Sequence, residues 1–161
     1  MKEQFEIDGV NLSNLFNLSS SPIPFSDDCR KHIPSAGSII YTVWDKSDQF
    51  IYVGISGLQN KPSSERNPIS RMVLHSSGRR SGDQFCVYVH DFYVIPNLIL
   101  EGDFEPERRL LDKLTKEYIH ENLTYRFLSF QSEDGIKIVR DIENKIKQGV
   151  FGFPPPYLNG I

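Results

Sequence analysis

Ser38-Ile39-Ile40-Tyr41-Thr42-Val43-Trp44 and Phe50-Ile51-Tyr52-Val53-Gly54-Ile55 are the two runs on which the fold turns. Both are dense in β-branched and aromatic residues, which suit a pleated, half-buried surface. Asp45-Lys46-Ser47-Asp48 between them is turn chemistry, with Lys46 one of the turn residues. The pair therefore predicts a β-hairpin. With a four-residue loop, Trp44 pairs with Gln49 and Tyr41 falls opposite Tyr52, so that the two phenols stand side by side with Cβ atoms ~5 Å apart. A five-residue loop breaks that pairing.

Working outward, residues 56–67 form a loop rich in Ser, Pro and Asn. Asn67-Pro68 is a helix start, an N-cap side chain followed by proline at the first helical position. The helix covers 69–76 and stops at Gly78. Ile69, Met72 and Val73 form its buried stripe, and Arg71 and His75 lie together on the other face. Alternation over 84–95 predicts a third strand ended by Pro96. A second helix runs over 107–122 behind Pro106, with Leu110, Leu111, Leu114 and Tyr118 as its apolar side. A short fourth strand follows at 125–130 and a third helix at 135–148. Residues 1–35, broken by Asn, Ser and Pro, read as an N-terminal arm that packs on the domain or on a partner. Residues 36–161 are the domain. The fold class is α/β (α+β): a small antiparallel sheet of about three strands, begun by the hairpin and flanked by helices.

The 161 residues suffice for one compact domain. No apolar run reaches ~18 residues and the first residues lack a signal-peptide layout, so a cytoplasmic protein with no membrane partner is expected. Cys29 and Cys86 form no CxxC pair and read as structural thiols. A net charge of −3 argues against a generic nucleic-acid coat. Charge is uneven, however: between 61 and 80 five basic residues face Glu65 alone, whereas 101–121 holds seven acids and four bases. A groove is governed by charges within about 10 Å, so a local basic face is enough to hold a phosphate backbone. On charge alone, a solvated basic face explains it equally well. His120-Glu121 is no zinc-protease motif, because Thr124 stands where its second His belongs. Neither a phosphate-binding glycine loop nor a nucleophile elbow is present, and no small-molecule cofactor is indicated.

Ile39-Ile40-Tyr41, with Tyr52-Val53-Gly54 beginning eleven residues after Tyr41, resembles the paired signature of the GIY-YIG nucleases. Arg71, Glu143 and Asn159 then follow in that family's order, so the resemblance spans roughly 37–159. Ile39 occupies a place where the family often has Gly; the tyrosine carries the chemistry. Arg71 with His75 one helical turn on looks like the restriction-enzyme branch, where the His helps at the phosphate or the base. The resemblance implies a divalent-metal-dependent endonuclease acting on DNA and leaving a 5′-phosphate and a 3′-hydroxyl. In that scheme Tyr41 activates water, Tyr52 positions the nucleophile or phosphate, Glu143 binds the metal, and Asn159 steadies the site through hydrogen bonds.

The residue types suit that chemistry. Phosphodiester hydrolysis needs water deprotonated, the phosphate held and the leaving oxygen's charge offset. The planar fork of Arg71 can grip phosphate oxygens. A phenol titrates near ~10, so Tyr41 serves as a base only if nearby cations lower it. Glu143 lies beside the apolar stripe Ile136, Val139, Ile142 and Ile146, and a carboxylate at a core edge calls for a partner. That partner is either a hard cation or a basic side chain such as Arg71. One carboxylate suits Mg²⁺, which keeps several waters, with Mn²⁺ an acceptable substitute. Arg66, Arg79 and Arg80 are candidate nucleic-acid contacts, and a homodimer is one route to target specificity. Taken singly, Tyr41, Arg71 and Asn159 are an ordinary strand, surface and loop residue; their joint order carries the inference. The rival reading is an inactive nucleic-acid- or protein-binding module on the same fold.

Overall fold

The structure, a computed structural model, describes residues 5–17, 20–57, 67–102 and 108–159. Its strands are β1 (Glu6–Ile7), β2 (Val10–Asn11), β3 (Ile23–Pro24), β4 (Ser38–Asp45), β5 (Phe50–Ser56) and β6 (Leu123–Phe130). The helices are α1 (Ser13–Phe16), α2 (Pro68–Ser76), α3 (Gln84–Val89), α4 (Ile95–Glu101), α5 (Arg108–Asn122) and α6 (Gly135–Lys147). A four-stranded antiparallel sheet of order β3-β6-β4-β5 forms the centre, and β1 and β2 make a separate small hairpin. The α+β class is therefore as the sequence implies, with one strand more in the main sheet.

β4 and β5 are the expected hairpin. The Asp45 carboxylate accepts from the backbone N–H of Ser47 (2.8 Å) and Gln49 (2.9 Å), an Asx turn, and Asp48 takes a left-handed φ of 57°. The register corrects the expected pairing. Trp44 lies opposite Phe50 and Val43 opposite Tyr52, so Ile51 is an extra residue and Tyr41 faces Gly54. This bulge decides which face Tyr52 uses. Unbroken pairing from Trp44–Phe50 would set Tyr52 against Thr42, on the far side from Tyr41; one inserted residue turns it back. Tyr41 and Tyr52 are thus diagonal neighbours on one face, ring centroids 6.3 Å apart.

Two cores sit on the two faces of the sheet. Ile39, Tyr41, Val43, Ile51, Tyr52 and Tyr125 point toward α2, α3 and α5, meeting Met72, Phe85, Cys86, Val89 and Ile119. Ile40, Trp44, Phe50 and Val53 point the other way, onto Ile136, Val139, Ile142 and Ile146 of α6, the stripe read from the sequence. Leu12, Leu15 and Phe16 of the arm join that second core, so residues 5–17 are packed on the domain. Both cysteines are buried and free.

The strand expected over 84–95 is instead helical: α3, a π turn over His90–Val94, then α4. Its buried residues are Phe85, Cys86, Val89, His90 and Val94, with the last apolar step of five residues spanning the π turn. Packing against α5 overrode the β-leaning composition, which is a weak determinant. Pro96 begins α4 directly after the wide turn, where its missing N–H interrupts little. Residues 103–107, including the expected Pro106 start, lie outside the described residues. Within α5, Thr115 and Ile119 are the fully buried positions, whereas Leu110 is exposed. Among the described residues no helix is long and apolar enough to cross a membrane.

Candidate functional site

Helix α2 begins as read: the Asn67 side chain accepts from Ser70 N–H, with Pro68 next. Gly78, at φ +69°, ends the turn after it where α5 passes too close for any Cβ. Its buried side differs from the expected stripe. Pro68, Met72 and His75 are buried while Val73 is 41% exposed, so His75 faces the sheet and not solvent.

That orientation brings His75 onto the tyrosines. The Tyr41 hydroxyl and His75 Nε2 are 2.7 Å apart, and His75 Nδ1 lies 2.6 Å from the Asp83 carboxylate. Tyr41 and His75 are 0% exposed and Asp83 1%. A carboxylate only accepts, so Nδ1 carries the ring proton, Nε2 is left as an acceptor, and the phenol donates to it. Arg71, one turn before His75, lies close enough to Tyr41 and Tyr52 for its charge to act on both phenols, and its buried Nε has no hydrogen-bond partner.

Gly54 explains itself here without any unusual backbone angle. The Tyr41 ring lies across the Gly54 backbone, and a Cβ at that position would overlap the phenol oxygen and Cζ. Glycine in Tyr52-Val53-Gly54 is the space the other tyrosine occupies.

Burial dominates the electrostatics. It pushes the Tyr41 phenol well above its ordinary value of 10.0, with Tyr52 adding to the rise and Arg71 opposing it. Neighbouring cations therefore do not bring Tyr41 down to a base's range. Tyr52 is pushed up to about 12 by burial, with Asp83 and Glu143 helping and Arg71 opposing. Burial would also lower Arg71, but the two tyrosines and Asp83 outweigh it and the guanidinium stays charged. His75 is held below 6.5, because desolvation of the imidazolium and the Arg71 charge exceed the pull of Asp83. At Asp83, burial alone would raise the carboxyl; hydrogen bonds from His75 and Cys86 and the Arg71 charge keep it below 3.8.

Glu143 comes from α6, on the other core, and is close enough to affect the Tyr52 phenol. Its side chain is 16% exposed and paired with Lys147 at 2.9 Å, a partner other than the Arg71 considered from sequence. A Mg²⁺-type ion asks for one or two carboxylates and otherwise water, and a lone, partly exposed carboxylate at the cluster's edge fits that demand. Among the described residues no group of three or more His, Cys, Asp or Glu side chains is arranged to hold a metal ion.

Asn159 lies on the free edge of β5. Its side chain accepts from Val53 N–H (2.7 Å) and donates to Val53 C=O (2.9 Å), while Leu158 N–H reaches the carbonyl of the bulge residue Ile51 (2.8 Å). The amide thus finishes the strand edge between Tyr52 and Gly54. Arg80 is tied to Asp112 of α5 at 2.7 Å, and Arg79 is exposed beyond the end of α2. Arg66 lies outside the described residues. The structure accordingly groups Tyr41, Tyr52, Arg71 and His75 tightly, sets Glu143 and Asn159 at the margin, and holds Arg80 in an ion pair.

Sequence reading missed Asp83. One signal was available: Asp directly before Gln84 is a helix N-cap pattern once 84–89 is taken as helical. Set against protein-family models, curated proteins and solved structures, the chain matches none.

Proposed function

We propose that this chain is a divalent-metal-dependent endodeoxyribonuclease of the GIY-YIG type, hydrolysing phosphodiester bonds at the cluster of Tyr41, Tyr52, Arg71 and His75. The observation that carries the reading is a phenol hydrogen-bonded to a neutral imidazole, with the charge of a guanidinium acting on that phenol. One strand and one helix supply them, and a core has no packing need for such a group.

Arg71 holds the non-bridging phosphate oxygens, turning from its place beside the phenols to the substrate. That movement also admits water to Tyr41, which has no solvent contact otherwise. The water oxygen then bonds to phosphorus while its proton passes to the Tyr41 oxygen, and Tyr41 hands its own proton to His75 Nε2. The P–O3′ bond breaks and O3′ takes a proton from solvent, leaving a 5′-phosphate and a 3′-hydroxyl. Because Tyr41 gains one proton as it loses another, no free phenolate accumulates, which reconciles a raised phenol with a role in base catalysis. Tyr52 orients the phosphate beside Arg71. Glu143 would hold the Mg²⁺ or Mn²⁺, whose chemistry is to neutralise charge on the leaving oxygen.

One observation favours the second reading. A Tyr41 with no exposure suits a polar network that rigidifies a nucleic-acid- or protein-binding module. Supercoiled plasmid incubated with purified protein and Mg²⁺, beside Glu143→Ala and Tyr41→Phe at matched folding, separates the two. Nicking or linearisation by the parent and a loss of about 10²–10⁴-fold in both variants is expected. No cleavage with either Mg²⁺ or Mn²⁺ across pH would hand the site to the binding reading.

A further inference from the structure

Asp83 occupies the N-cap of α3, yet its side chain accepts no capping hydrogen bond from that helix. Aspartate at an N-cap ordinarily takes the N–H of the second or third helical residue, which stabilises the helix by ~1 kcal/mol. Here one carboxylate oxygen, Oδ2, receives His75 Nδ1–H at 2.6 Å and the Cys86 thiol at 3.2 Å. Cys86 is the third residue of α3, the position whose backbone N–H an N-cap oxygen commonly takes. The other oxygen, Oδ1, is buried with no hydrogen-bond partner. A carboxylate has been taken out of water and away from its helix, and its shortest bond is to a histidine.

Resting on the nuclease reading for its chemical consequence, we propose that Asp83 is the positioning residue of the site: it fixes His75 as the Nδ1–H tautomer, so that Nε2 faces Tyr41 as a proton acceptor. The alternative tautomer would put N–H on Nε2, aim it at the phenol oxygen, and leave the Nδ1 lone pair 2.6 Å from a carboxylate oxygen. When Nε2 takes the Tyr41 proton, the positive charge on the imidazolium lies against Asp83, which offsets it. Cys86 occupies a second lone pair on Oδ2 and so limits how that carboxylate turns. The charged or titratable groups facing His75 are Asp83 from the α3 end, Arg71 from its own helix, and Tyr41 and Tyr52 from the sheet. Cys86 adds a thiol from α3 whose Sγ lies 3.4 Å from the His75 carbonyl.

Two measurements on the full chain test this. The first is long-range proton–nitrogen NMR of the nitrogen-15-labelled protein, with the His75 signals assigned through a His75→Gln variant. Hydrogen on Nδ1 is expected in the parent, and a mixture of tautomers in Asp83→Asn, whose amide can donate to Nδ1. The second is plasmid cleavage at a series of substrate concentrations and pH values. For Asp83→Asn, kcat is expected to fall about 10²–10⁴-fold with KM changed less than about threefold, because orientation of a base acts in the transition state. The acid limb of the pH profile is also expected to move to lower pH as the carboxylate charge is lost. Hydrogen on Nε2 in the parent, or an unchanged tautomer and kcat in a folded Asp83→Asn, overturns the proposal. If the parent cleaves nothing while Nδ1–H is present and Asp83-dependent, the positioning role stands and the nuclease reading alone falls.

Discussion

Gly54 and Tyr41 act as one unit at the residue scale. Adding a methyl group at Gly54 drives the Tyr41 ring off the strand, and overpacking of this kind costs about 1–3 kcal/mol. Gly54→Ala is therefore expected to lower the urea midpoint by a corresponding amount, and to depress cleavage further by lengthening the Tyr41–His75 bond. An unchanged midpoint would show that the ring has room the structure does not grant it. His75 supplies the pH dependence. With its folded value below 6.5, the neutral imidazole contributes stability that is complete above 6.5 and is lost as pH falls through the folded value. Cleavage follows the same sign, since only neutral His75 can accept the Tyr41 proton. kcat should rise with pH along a limb centred below 6.5 and then level off; a limb centred above 6.5 would contradict the assignment.

At the scale of elements, the bulge at Ile51 sets the face that the second tyrosine presents. Deleting Ile51 removes the extra residue, so that Phe50, Tyr52, Val53 and Gly54 pair without a break with Trp44, Val43, Thr42 and Tyr41, and Tyr52 keeps its face. Such a protein is expected to keep Tyr52 beside Tyr41 and to lose about 2–5 kcal/mol of stability in chemical denaturation, since a fully buried isoleucine side chain is removed. NMR contacts from the Tyr52 ring to α6 in place of Tyr41 would contradict that pairing. This element also shows what composition can and cannot convey. The strands were legible because Tyr41 and Tyr52 stand in dense β-branched runs, and the shared face survived because the expected and observed registers differ by two residues, which preserves parity. The bulge itself leaves no mark in residue types. The segment after Asp83 was opaque for a related reason: Phe85, Val87 and Val89 satisfy alternation as well as Phe85, Cys86 and Val89 satisfy a helical turn. Once that segment is misread as a strand, Asp83 looks like a loop residue and the His75 partner disappears with it. The short end of α2 and the α6 stripe were legible because capping and a 3.6-residue period are local properties; the inward turn of His75 depends on where the sheet lies.

For the whole molecule, the central sheet divides two cores of different purpose. One face carries the polar cluster with α2, α3 and α5; the other is an aromatic pack of Phe16, Trp44, Phe50, Phe151 and Phe153 beneath α6. Residues 5–17 of the arm belong to this second core, where Phe16 packs on Trp44 and Phe50, whereas Phe25, Cys29 and Ile33 belong to the first. Phe16→Ala should therefore cost about 3–5 kcal/mol in chemical denaturation, the range for deleting a buried aromatic ring. Loss of less than about 1 kcal/mol would make the arm an appendage. Trp44, the chain's single tryptophan, sits where the arm docks: its indole N–H donates to Thr42 Oγ1 at 2.9 Å, and that hydroxyl donates to the Leu15 carbonyl at 2.8 Å. The indole is consequently a built-in optical gauge, whose emission would redden when the arm lifts, so stopped-flow fluorescence could time arm docking separately from events on the face of the polar cluster.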